Sequence, residues 1–131
     1  MKKILILIIL VFGNNLTSSA QEVTLDKSEL KDVLCKQWGI EYAMMNGKKI
    51  GQMPGATDFD FIFSSDGSYD LIREDGDNKS GTWIYNLANK NIELSIEDKM
   101  TSRIISINKD KMIVTLVSDR LPGVEIHFKP I

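Results

Sequence analysis

This 131-residue chain has one histidine, one cysteine and three prolines, and no excess of basic over acidic side chains. Each scarcity closes off a class of function. With His127 as the sole histidine, no histidine-based zinc cluster can be assembled, and a Ser-His-Asp triad would have to form around that residue alone. His127 falls out of phase with Val124, Ile126 and Phe128, so it should face solvent rather than serve as an inward axial ligand to haem. Cys35 has no partner for an internal disulfide, and it reads as a small apolar helix residue before it reads as a reactive thiol. The 16 basic side chains stand against 18 acidic ones. No basic excess exists to track a phosphate backbone, and nucleic-acid binding is not expected.

Long apolar runs are also missing, save one at the start. Met1 to Ala20 opens with Lys2 and Lys3, continues apolar from Ile4 to Phe12, and ends in small and polar residues with Ser18 and Ala20 spaced like an export-peptidase site. This is expected to be a signal peptide, because the apolar run is about half of the roughly 20 residues that a membrane span requires. The mature chain, 21–131, would then be an exported, periplasmic or secreted protein with no transmembrane segment. Its length suits one domain with one modest core.

What remains is rich in alternation. Asp26 to Lys36 reads as a short helix, with Asp26 as N-cap, Glu29 as its reciprocal partner, and Leu30, Val33 and Leu34 on one face. Trp38, Ile40, Tyr42 and Met44 alternate with polar or small residues as a first strand, and 46–57 reads as a long loop. The strongest hairpin signal is Phe59-Asp-Phe-Ile-Phe63, Asp66-Gly67, then Ser68 to Arg73, with three phenylalanines on one face and Tyr69 and Leu71 returning on it. Further strands are expected at 82–87, 92–96, 102–108, 111–118 and 124–128, with the Ile104-Ile105 pair marking a bulge. Eight strands joined in sequence suit an all-β, eight-stranded antiparallel up-and-down barrel, with a sandwich as the alternative closure. The links after strands one, three, five and seven read as the longer ones, giving one loop-rich mouth, and the helix would plug the opposite end.

The helix followed by Trp38, the long first loop, Phe61-Ile-Phe63-Ser-Ser-Asp66-Gly67-Ser-Tyr69 and Gly81-Thr82-Trp83-Ile-Tyr85 together resemble the lipocalin superfamily. The resemblance is closer to the short lipocalin-like domains of secreted bacterial proteins of the Bacteroidetes type, and covers Leu30 to Phe128. Lys36-Gln37-Trp38 stands where lipocalins usually show Gly-X-Trp. The resemblance implies the barrel fold and a binding role for a small apolar or amphipathic ligand.

The candidate ligand-binding set is Tyr42, Met44, Met53, Phe59, Phe61, Arg73, Tyr85 and Arg103. The aromatics supply an inward wall, the methionines an adaptable apolar lid, and the arginines a place for an anionic head group. No catalytic residue, metal site or cofactor is expected. The acidic loop Glu74 to Asn78 fails the EF-hand spacing, because Lys79 and Ser80 fall at the fifth and sixth positions. Asp58 and Asp60 lie out of phase with the phenylalanines, as an outward polar face would. The alternative function is a barrel filled by its own aromatics, acting on a protein partner as an interaction module or hydrolase inhibitor.

Overall fold

The computed structural model describes residues 22–50, 58–117 and 123–131, so the expected leader, together with Met53, Pro54 and Arg120, lies outside the described residues. Helix α1, Lys27–Leu34, begins as its sequence requires. The Glu29 N–H donates to Asp26 Oδ1 at 2.8 Å, and the Asp26 N–H donates to Glu29 Oε1 at 3.4 Å, closing a capping box. The Glu29 N–H and the Ser28 hydroxyl hold the Asp26 carboxyl below the usual aspartate range. Leu30 and Leu34, four residues apart on one stripe, are fully buried.

Nine strands follow among the described residues: β1 Gln37–Met45, β2 Lys48–Ile50, β3 Phe59–Phe63, β4 Ser68–Arg73, β5 Lys79–Asn86, β6 Asn91–Ile96, β7 Lys99–Ile107, β8 Met112–Leu116 and β9 Val124–Pro130. Every pairing is antiparallel, the order is β2-β1-β3-β4-β5-β6-β7-β8-β9, and β9 pairs back onto β1. Eight strands therefore close an up-and-down barrel. β2 is an addition to it, paired only with the far end of β1.

Two connections differ from the sequence reading. Asn46 and Gly47 adopt φ of 53° and 81° and turn β1 straight into β2, so the first three residues after that turn are strand rather than loop. Glu97 and Asp98 adopt φ of 53° and 64° and link β6 to β7 in two residues, where a longer loop was expected. The link at the β6–β7 end is therefore as tight as those at the opposite end. The bulge expected at Ile104-Ile105 is present, since Ile104 pairs with Val114 and Ser106 with Ile113.

The core fills from the helix end. The Trp38 indole N–H donates to the Leu34 carbonyl at 3.0 Å, fixing the end of α1 to the start of β1. The Tyr85 hydroxyl donates to the Leu25 carbonyl at 2.7 Å, with the Val23 carbonyl at 3.1 Å, and so holds the segment before the helix across the floor. Above the floor the rings of Phe61, Phe63, Tyr69 and Phe128 touch one another at centroid distances of 5.1–5.5 Å. Ile92, Leu94, Ile104, Met112, Val114 and Ile126 complete the buried wall.

Gly81 makes this packing possible. A Cβ on it would lie 2.7 Å from two ring carbons of Tyr69, its cross-strand partner, and against the Ser95 carbonyl oxygen. The bare glycine lets the tyrosine ring lie across the strand. This explains the glycine of Gly81-Thr82-Trp83 without invoking a ligand.

Candidate ligand-binding site

Inward positions at the end of the barrel away from α1 are apolar but only partly buried. Met45 of β1, Phe59 of β3, Leu71 of β4, Ile96 of β6 and Leu116 of β8 all pack against the core in this way. Beneath them Phe61, Leu94 and Val114 are enclosed, and Val124, level with Met45 on β9, is enclosed as well. Ser102, 5% exposed, sits between Leu94 and Leu116 as the buried polar side chain among the described residues. The result is an apolar rim over an aromatic floor, with a hydroxyl in the wall. A surface of this kind suits the hydrocarbon part of a small molecule.

A cleft of about 280 Å³ opens beside this rim, lined by Asp58, Phe59, Asp60, Ile72, Arg73 and Glu74. Arg73 stands opposite Phe59 on the adjacent strand. Its Nε and Nη2 donate to the two carboxylate oxygens of Asp75 at 3.3 and 3.1 Å, and that bond raises the guanidinium pKa further. Asp75 also accepts from the Asp77 N–H, and Asn78 accepts from the Arg73 N–H. The acidic loop is folded on Arg73 and on itself. With Arg73 joined to Asp75 and three carboxylates lining the cleft, the local field favours a neutral or cationic head group over the anionic one expected from the arginines.

Phe59, Phe61 and Arg73 of the sequence-derived set come together at this end, with Phe61 deepest. Tyr42 and Met44 do not. The register slips between Ile40 and Tyr42, so Glu41 is a bulge, and Ala43 and Met45 take the inward phase in their place. Tyr42 lies on the outer face, its ring stacked on His127 at 4.4 Å with Lys49 Nζ 4.4 Å from its centroid. Met44 is paired with Glu125 on the same outer face. Arg103, between the inward Ser102 and Ile104, also points outward and pairs with Glu93 and Thr115. Tyr85 has the inward phase but stands at the floor, engaged with the N-terminal segment. Met53 lies outside the described residues. Sequence reasoning missed the rim residues Leu71, Ile96 and Leu116, whose signal was simple alternation near the loop end of each strand.

Cys35, at the C-terminal cap of α1, is partly buried against the core, and burial pushes its thiol above the ordinary range. It is in its less reactive form at neutral pH. Among the described residues no three metal-ligating side chains come together, and no helix is long and apolar enough to cross a membrane.

An eight-stranded up-and-down barrel, closed by its first and last strands and stoppered by a short helix, is a lipocalin-like architecture. A lipocalin-like protein from Bacteroides uniformis is similar in structure to this chain, with a TM-score of 0.49 and 13% sequence identity over 75% of this chain and 98% of that one. No family model matches the sequence, and no curated protein does. The fold assignment rests on the strand order and its closure.

Proposed function

We propose that this protein is an exported, non-catalytic binding protein that takes the apolar part of a small amphipathic molecule into the helix-distal end of its barrel. The observation that carries the reading is the partly buried rim of Met45, Phe59, Leu71, Ile96 and Leu116 above a closed aromatic floor. The expected signal peptide supports export. The apolar character of the inward side chains supports binding rather than catalysis. Because the floor rings are already in contact with one another, the ligand enters as a shallow guest at the rim, not as one threaded down the barrel axis.

Methyl-labelled methionine NMR tests this with an internal control, since Met45 lines the rim and Met44 faces outward. Titration with dodecanol, dodecylammonium and dodecanoate should shift the Met45 methyl and leave Met44 in place, with dodecanoate weakest. Leu71→Asp, which keeps the Met45 probe, should abolish its response and Met44→Asp preserve it. Native mass spectrometry of the exported chain before and after solvent extraction should show a removable adduct of small-molecule mass. A bare mass with no methyl shift would refute the carrier reading. It would leave the barrel filled by its own rings as a protein-interaction module, a second reading favoured by the same ring contacts.

A further inference from the structure

Strands β4 and β5 pair only from Ser68 and Thr82 to Leu71 and Lys79, yet β5 continues to Asn86. Past Thr82, the side of β5 turned toward β4 has no strand against it among the described residues. The Trp83 N–H points to that side, donating to the Gly67 carbonyl at 2.9 Å. Peptide groups in an antiparallel strand alternate between its two edges, so those of Tyr85 face the same way. A main-chain edge of this kind is a template for another strand.

Next to this edge, α1 and β5 bound a groove of about 270 Å³ lined by Lys27, Leu30, Lys31, Trp83, Ile84 and Tyr85. Ile84 and Leu87 are 61% and 56% exposed, large apolar side chains at the same end of the strand. Lys27 and Lys31 stand one helical turn apart on the rim. The acids of that helical turn, Asp26 and Glu29, are occupied in the capping box.

We infer that the floor half of β5 takes an extended segment of a partner protein as an added strand, one in which apolar side chains alternate with acidic ones. The segment's main chain pairs with the Tyr85 edge, its apolar side chains enter the groove over Leu30 and Ile84, and its carboxylates meet Lys27 and Lys31. The lysines decide the occupant. A second copy of this chain would set two lysine-bearing rims against each other, whereas an acidic strand satisfies them.

The test uses protein expressed from its full sequence, labelled with nitrogen-15, and two acetylated, amidated heptapeptides, one alternating valine with glutamate and the other valine with lysine. The glutamate peptide should shift the amides of Leu30, Ile84 and Tyr85 and slow hydrogen exchange at the Tyr85 amide by about tenfold or more, as a new main-chain hydrogen bond requires. The double variant Lys27→Glu, Lys31→Glu, which alters only the rim, should reverse the preference between the peptides. Unchanged exchange at Tyr85 under saturating peptide, or equal response to both peptides, would overturn the inference. So would self-association that perturbs the same amides, or binding to phosphatidylglycerol vesicles that is lost in the lysine variant while neither peptide binds.

Discussion

Replacing Gly81 with alanine should be among the most damaging single-methyl additions available to this barrel. The new Cβ would sit 2.7 Å from Tyr69 Cε1 and Cζ and against the Ser95 carbonyl oxygen. Neither obstacle can move cheaply. Tyr69 is 1% exposed and packed against Phe61 and Phe63 at 5.5 Å, and Ser95 belongs to β6, paired on both sides. Overpacking of a well-filled core costs about 1–3 kcal/mol, and a main-chain obstacle puts this case near about 3 kcal/mol. For a domain of this size that corresponds to a fall in Tm of roughly 10–20 °C. Gly39→Ala is the matched control. There the Cβ meets Ile131 Cδ1 at 2.8 Å and Asp60 Oδ1 at 3.3 Å, but both are side-chain ends, and Ile131 is 72% exposed and able to turn aside. That variant should stay within about 0.5 kcal/mol of the parent. Urea unfolding followed by the fluorescence of Trp38 and Trp83 measures both. If the two variants differed by less than about 0.5 kcal/mol with unchanged m-values, the close packing of Tyr69 over Gly81 would be refuted.

Trp38→Phe removes the indole donor to the Leu34 carbonyl, which keeps the Lys36 N–H at 2.8 Å, and shrinks a fully buried ring beside the end of α1. It should cost about 1–3 kcal/mol in urea and speed amide exchange in α1 before it does so in β6 or β7. Stability should also decline in alkali. Burial raises the Tyr69 and Tyr85 hydroxyls above their ordinary value near 10, and the Asp26 carboxylate adds to the shift at Tyr85. Raised acids of this kind contribute stability that is fully present below the unfolded-state pKa and is lost as pH rises through the folded-state values. The urea midpoint should hold to about pH 10 and then fall, with a shallower fall in Tyr69→Phe; an identical slope in that variant would count against the assignment.

Alternation alone located the inward faces of β3, β4, β5, β6 and β9, because each carries apolar residues on one phase and mostly polar or small ones on the other, whereas the Ile104-Ile105 pair left the facing of β7 open. It failed in β1 for a physical reason. Trp38, Ile40, Tyr42 and Met44 are apolar on one phase, but Ala43 and Met45 are apolar on the next, so either register buries something acceptable. Pairing with β9 decides, through a bulge at Glu41 that leaves no mark in the local sequence. The capping box on α1 and the bulge at Ile104-Ile105 were legible because each has its own residue signature. The tight Glu97-Asp98 turn was not, since neither residue announces a left-handed backbone as glycine or asparagine would. Tyr85 was read with the right face but at the wrong height: facing is a matter of parity, while height depends on which end of β5 meets the floor.

The seams of this barrel are unequal. β1 is laced to β9 from Trp38 to Met45, but to β3 only through Gln37, Trp38 and Gly39. Cut at that short seam, the molecule is one continuous curled ribbon running from β3 through β9 to β1 and β2. The fastening is reinforced at the same height by the Gln37 amide donating to Asp60 at 2.9 Å and the Phe63 N–H donating to the Lys36 carbonyl at 3.2 Å. All of these clasps lie beside the helix. The wall is therefore buttoned at its base, and toward the rim the same edge of β1 passes from β3 to β2, so the barrel's shortest seam is the one that joins its first strand to its second.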